Sequence, residues 1–170
     1  MSYIDSIQVF SDGGCRGNPG PGAIGVFVTD VNNSPLFEYS ECIGNTTNNR
    51  AEYKAAIKGL DIAAKFTRGR ALVFCDSELV VNHMNGTWRL KDDELRKLFY
   101  EVKQVSQAFK EVIFQHVKRT NQNIKKADRI LNNAFEGRPI SRLFNKKGQA
   151  TLPDSARLEK SHWDRAQLIS

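Results

Sequence analysis

Four carboxylates stand at positions where acids are uncommon: Asp12, Glu52, Asp76 and Asp128. Asp12 closes a strand-like run that begins at Ile7, just before Gly13-Gly14. Asp76 follows the apolar run Ala71-Leu72-Val73-Phe74-Cys75. That is the C-terminal edge of a strand, where open α/β sheets place their ligands. Glu52 shares a helical face with Ala56, Leu60 and Ala63, so it ends a buried stripe. Asp128 has Ile124, Leu131 and Phe135 at helical spacing and interrupts an apolar face. An acid on a core face loses hydration, which is costly unless it is paired or bound to a cation. For any single one, a partner arginine or a helix cap is a sufficient explanation. Four acids converging on one point would repel strongly, and a pair of hard divalent cations relieves that repulsion. Mg²⁺ accepts carboxylate and water ligands at roughly 2.0–2.1 Å. Two such ions ~3.5–4 Å apart activate a water and stabilise the leaving oxygen of a phosphodiester. The remaining acids look ordinary: Asp92, Asp93 and Glu94, for example, open a helix, where negative charge suits the dipole.

The elements that position these four can be read from periodicity. Residues 7–12 alternate as a strand, residues 13–22 form a Gly/Pro/Asn turn region, and residues 23–31 and 36–43 pair as strands through Asn32-Asn33-Ser34-Pro35. Thr47 or Asn48 caps a helix running to about Phe66. Residues 71–75 form a strand buried on both faces. A short helix over 77–84, a longer one over 92–109, a fifth strand over 112–117 and a last helix over 123–135 complete the order βββαβααβα. An antiparallel meander followed by βα crossovers predicts an α/β domain: a five-stranded mixed sheet flanked by helices.

With these elements in place, the four acids lie in segments that resemble the motifs of type 1 ribonuclease H. Asp12 lies in Ser11-Asp12-Gly13-Gly14-Cys15-Arg16-Gly17-Asn18-Pro19-Gly20, and Glu52 in Thr46-Thr47-Asn48-Asn49-Arg50-Ala51-Glu52. Asp76 lies in Cys75-Asp76-Ser77, and Asp128 in Lys126-Ala127-Asp128 followed by Leu131-Asn132-Asn133-Ala134. Each motif is moderately specific, and four in the family's order are highly specific. The resemblance covers residues 4–136. It implies a ribonuclease H-like fold and an endonuclease that cuts the RNA strand of an RNA–DNA hybrid. It also implies two Mg²⁺ ions, with Mn²⁺ as a substitute, held by the four acids, and products with 3′-hydroxyl and 5′-phosphate ends. Substrate contacts carried over by the same resemblance are Gly13, Gly14, Cys15 and Asn18 in the first loop, the Asn48-Asn49 pair, Ser77 and Glu78, with Thr47 on a DNA-strand phosphate. A 2′-hydroxyl distinguishes RNA from DNA at such contacts. Trp88 is a stacking residue for the DNA strand or an aromatic packed under a loop.

The chain departs from the family pattern in three places. The connection Lys118-Arg119-Thr120-Asn121-Gln122 contains no histidine where many relatives carry one, and His116 just before it is not assigned that role. The basic protrusion of some relatives is missing between Asp76 and Asp92, which places the chain in the compact subgroup. Glu78 replaces an amide, so it accepts but does not donate. The compact groove and the absent protrusion keep open a related nuclease acting on double-stranded RNA or RNA–DNA junctions. A non-catalytic nucleic-acid-binding module is the third reading.

Composition bounds the rest. The chain has 170 residues, 25 Lys and Arg against 19 Asp and Glu, and a net charge of +6. That suits one domain and a polyanionic partner. Residues 137–170 carry seven basic side chains (Arg138, Arg142, Lys146, Lys147, Arg157, Lys160, Arg165) against three acidic ones. They read as a basic C-terminal extension to a catalytic domain at 1–136, partly flexible or with a short helix over 155–169. No apolar run reaches the ~20 residues of a membrane helix. The N-terminus lacks signal-peptide character, and three widely spaced cysteines fit a reduced, cytoplasmic setting. A monomer is expected. Gly20-Pro21-Gly22-Ala23-Ile24-Gly25 fits a dinucleotide fingerprint only formally, because a strand pattern follows it. His83 and His162 read as surface residues, and Cys15 as a spacing residue.

Overall fold

The structure is a computed structural model that describes residues 4–151. One six-stranded sheet carries the chain, its strands in the spatial order β5 (Glu111–His116), β4 (Arg70–Cys75), β1 (Ser6–Cys15), β2 (Gly20–Asp30), β3 (Pro35–Thr46) and β6 (Ser141–Leu143). β1 (Ser6–Cys15), β2 (Gly20–Asp30) and β3 (Pro35–Thr46) form the antiparallel meander. β4 (Arg70–Cys75) lies parallel to β1, and β5 (Glu111–His116) parallel to β4. Four helices cover the sheet: α1 (Asn48–Ala63), α2 (Glu78–Met84), α3 (Asp93–Ser106) and α4 (Gln122–Phe135). The mixed, helix-flanked sheet agrees with the expected class.

One strand more is present than the five expected. Ser141–Leu143 forms β6, antiparallel to β3, with Arg142 opposite Glu38. Three residues with alternating burial are too short for periodicity to register. The strand exists because the outer edge of β3 offers unpaired backbone groups. Two bonds set its approach: Ser40 N donates to Ile140 O at 2.8 Å, and Ile140 N donates to Ser40 Oγ at 2.9 Å. The helix anticipated over 155–169 lies outside the described residues.

The first strand also runs further than its pattern implied. Gly13, Gly14 and Cys15 continue β1 past Asp12, opposite Ile24, Ala23 and Gly22. Glycine is needed at position 13 because α1 presses directly on the strand there. A Cβ on Gly13 would stand 2.2 Å from Ala51 O. On the other face α4 approaches β2 equally closely, and a Cβ on Gly25 would stand 2.3 Å from Ala127 O.

The period-two alternation of β1 sorts two cores. Ile7 and Val9 face the larger one, with Val26, Val28, Phe37, Tyr53, Leu60 and the buried side of α3. Phe10 faces the smaller one, with Phe27, Ile124, Ala127 and Ile130. Helix starts follow local chemistry. Thr47, Ser77, Asp92 and Asn121 are the N-caps, each accepting from a backbone N–H of the first turn.

Candidate active site

Parallel pairing of β1 with β4 places the first two acids side by side. Phe10 is opposite Phe74, and their rings stack at 5.0 Å. Two residues further on, Asp12 and Asp76 therefore share the same end of adjacent strands. Glu52 descends from α1 onto the same spot, where the Gly13 N–H donates to its Oε1 at 2.9 Å. One ligand oxygen from each of Asp12, Glu52 and Asp76 lies within 4.8 Å of the others. Asp128, exposed on α4, is the hydrogen-bonding neighbour of Asp12. The four acids singled out in the sequence thus meet at one place, three tightly and the fourth from the rim.

The electrostatics are those of a crowded anionic site. Burial, the Asp76 charge and the hydrogen bond and charge of Asp128 push Asp12 up to about 8. Burial, then Asp12 and Asp76, push Glu52 well above the usual carboxylate range, against the lowering effect of the Gly13 N–H. Burial pushes the Cys75 thiol behind them up to about 12, which makes it a packing group rather than a nucleophile.

Arg119 partly compensates this charge. Its Nε lies 2.9 Å from Asp76 Oδ2, while the Arg119 side chain as a whole remains 86% exposed. In the sequence this connection stands out only for lacking a histidine. One signal was available: β5 is parallel to β4, so the loop after β5 must emerge beside Asp76. The second oxygen of Asp76, Oδ1, is buried and has no hydrogen-bond partner. Three hard oxygen donors within 4.8 Å, two raised carboxyls and one orphaned oxygen form a donor set suited to a divalent cation.

The loop expected to touch substrate forms a rim beside these acids. Cys15 N donates to Asn48 Oδ1 at 3.0 Å, Cys15 Sγ lies 3.3 Å from the same oxygen, and Asn48 N donates to Asn18 Oδ1 at 3.1 Å. A Cβ on Gly14 would stand 3.8 Å from Asn48 Oδ1. Thr47 accepts from Arg50 N as the α1 cap, and Asn49 is exposed next to it. Ser77 accepts from Val80 N as the α2 cap, and Glu78 is exposed at the start of that helix. Trp88 stands apart, 46% exposed, with its ring edge-on to His83 at 6.3 Å. His83 was expected at the surface. It is buried, with Nδ1 3.0 Å from the Tyr53 hydroxyl, and burial lowers its pKa. Helix α2 places it inward because Val80, Val81 and Met84 form the same buried side.

Residues 10–130 match the family described as Reverse transcriptase-like. The N-terminal RNase H domain of Rv2228c from Mycobacterium tuberculosis is 38% identical, with a TM-score of 0.73, covering 78% of this chain and 94% of that domain. RNase H1 from Halobacterium salinarum is 32% identical, with a TM-score of 0.74, covering 78% of this chain and 98% of that one. This chain belongs to the type 1 ribonuclease H family. A further type 1 ribonuclease H, LC11-RNase H1, was solved in complex with an RNA/DNA hybrid. It is 34% identical, with a TM-score of 0.72, covering 77% of this chain and 97% of that one. The full Mycobacterium tuberculosis protein, named Bifunctional protein Rv2228c, is longer, and the match spans 76% of this chain and 35% of that protein. No helix among the described residues is long and apolar enough to cross a membrane.

Proposed function

We propose that this ribonuclease H family member is an endoribonuclease that hydrolyses the RNA strand of RNA–DNA hybrids. The observation that carries the reading is the convergence of Asp12, Glu52 and Asp76 within 4.8 Å, with Asp128 beside Asp12. Their oxygens would hold two divalent cations, Mg²⁺ in first place and Mn²⁺ as a substitute. When bound, such ions supply Lewis-acid activation of water and charge stabilisation for in-line phosphodiester hydrolysis, leaving 3′-hydroxyl and 5′-phosphate ends.

The chain's own residues do the positioning. The Gly13 N–H fixes the Glu52 carboxylate against β1. Arg119 holds Asp76 through Oδ2 and leaves Oδ1 available to a ligand. Asn48, tied to the Cys15–Asn18 loop, and Asn49 and Glu78 present polar groups for the RNA 2′-hydroxyls, alongside Gly13, Gly14 and Ser77 at the same edge. Thr47, at the N-terminus of a 16-residue helix, offers a hydroxyl and the positive end of the helix dipole to a DNA-strand phosphate. Trp88 offers a partly exposed ring for stacking. One copy of the chain supplies all four acids, which fits action as a monomer, and the free thiols of Cys15, Cys42 and Cys75 fit a reduced, cytoplasmic setting.

The test is a substrate panel: labelled hybrid, duplex RNA, single-stranded RNA and duplex DNA, each with Mg²⁺, Mn²⁺ or EDTA. Metal-dependent cutting of hybrid is expected, and Asp12→Asn, Glu52→Gln and Asp76→Asn should each abolish it without unfolding the protein. Wild-type cleavage by two of these variants refutes the site. Preferential cutting of duplex RNA refutes the substrate.

A further inference from the structure

Outside the acid cluster, one other charge among the described residues is deeply buried with partners from separate elements. Glu38 on β3 has a side chain only 3% exposed, and both its oxygens are paired. Oε2 lies 3.1 Å from Lys126 Nζ on α4, and Oε1 lies 3.0 Å from Arg142 Nη1 on β6. Lys126 is two residues before Asp128, so the two project about 200° apart around the helix. Between them Ala127 is fully buried against β2, with its carbonyl seated over Gly25.

α4 rests on the sheet through Ile124, Ala127, Ile130, Leu131 and Ala134, with its backbone nearest β2 at Ala127. Lys126 ties one flank down to Glu38, and Asp128 hangs from the other flank beside Asp12. The close backbone contact at Gly25 fixes the distance of α4 from the sheet, and the ion pair on its flank adds to the apolar packing a restraint on roll about the helix axis. With a lever arm of about 5–6 Å from axis to side-chain tip, a 10° roll moves the Asp128 carboxyl by about 1 Å. Displacements of that size matter at a catalytic site.

We propose that Arg142, Glu38 and Lys126 form a charge clamp through which β6 sets the roll of α4 and thereby the position of Asp128. This makes Arg142 a positioning residue for metal binding. It rests on the assignment of Asp128 to the metal site. Arg142 orients the Glu38 carboxylate, and Glu38 in turn holds Lys126. Loss of Arg142 frees one oxygen of a buried acid and slackens the clamp without touching the acid cluster.

The test is Mn²⁺ binding to the full chain, followed by electron paramagnetic resonance, with hybrid cleavage measured in parallel. Arg142→Gln should weaken Mn²⁺ binding about threefold to tenfold, below the range seen when direct outer-shell partners of metal ligands are removed. kcat at limiting metal should fall and KM for hybrid should hold within twofold. Arg142→Lys should restore most of the loss. Glu38→Gln/Arg142→Gln, which leaves no buried charge, serves as a second variant should Arg142→Gln fold poorly, and it should show the same weakening. The effect should vanish in an Asp128→Asn background, because interacting groups are non-additive. A lower melting temperature with wild-type Mn²⁺ affinity overturns the clamp, as does additivity with Asp128→Asn. Wild-type Mn²⁺ affinity in Asp128→Asn alone locates the failure in the assignment of Asp128 instead.

Discussion

Replacing Asp12 by Asn should stabilise the metal-free protein at alkaline pH while destroying its activity. In the unfolded chain this carboxyl titrates near 3.8, and in the fold it holds its proton to about 8. Between those values the folded state binds more protons than the unfolded state. Stability therefore falls as pH rises from about 4 through about 8, by up to about 1.4 kcal/mol per pH unit for one proton. Taken over the whole interval, the penalty approaches about 5–6 kcal/mol. That is an upper bound, because the cluster relaxes and water enters. An effective dielectric near 20 leaves about 2–4 kcal/mol. Asn keeps the shape and removes the charge. In EDTA at pH 9 the variant should melt roughly 4–16 °C above the wild type, at 2–4 °C per kcal/mol for a chain of this size. At pH 5 the difference should shrink to about a quarter to a third of that, since the folded Asp12 is still protonated there and only the unfolded carboxyl has begun to ionise. Saturating Mg²⁺ should raise the wild type more than the variant, by about 1.4 kcal/mol for each tenfold excess over its dissociation constant. Scanning calorimetry at pH 5, 7 and 9, with and without Mg²⁺, decides the matter. A variant less stable than wild type at pH 9 in EDTA, or a difference independent of pH, refutes the reasoning.

Four further outcomes follow from the same geometry. Arg119→Ala removes the cation on Asp76, and should destabilise the protein in EDTA by about 1 kcal/mol given the exposed Arg119 side chain, with the gap closing in Mg²⁺; paired thermal melts check it. Gly13→Ala drives a methyl into the Ala51 carbonyl and should cost about 1–3 kcal/mol or more, seen as a shifted urea midpoint with reduced cleavage. Trp88→Ala should raise KM for hybrid about fivefold or more if the ring stacks on a base worth ~1–3 kcal/mol, and leave kcat nearly unchanged in steady-state kinetics. Lys146 and Lys147 are exposed at the tip of the hairpin following β6; if they contact phosphates, Lys146→Gln/Lys147→Gln should flatten the log–log salt slope of hybrid binding by up to about 1.8, and an unchanged slope removes the hairpin from the interface.

That last prediction differs from what composition alone suggested. The basic surplus of residues 137–170 comes from Arg138, Arg142, Lys146 and Lys147, since the three basic residues beyond 151 are matched by Asp154, Glu159 and Asp164. Arg142 is committed to a buried acid rather than free for a polyanion. A residue count sees charge but not its partner.

The amino-acid sequence by itself determined the succession of strands and helices, because periods of two and 3.6 are local consequences of backbone geometry. It also pointed to the four acids, since Asp12 and Asp76 close strand runs and Glu52 and Asp128 lie on helix faces that are otherwise apolar. Tertiary structure decided the rest. The parallel register of β1 and β4 set Asp12 beside Asp76, and the missing Cβ of Gly13 let α1 bring Glu52 down to them. The loop after β5 delivered Arg119, and α2 turned His83 inward. β6 formed only because the edge of β3 was there to receive three residues. These are contacts between segments distant in the chain. Their energies depend on distances of a few ångströms, which no local pattern encodes and only the closed fold establishes.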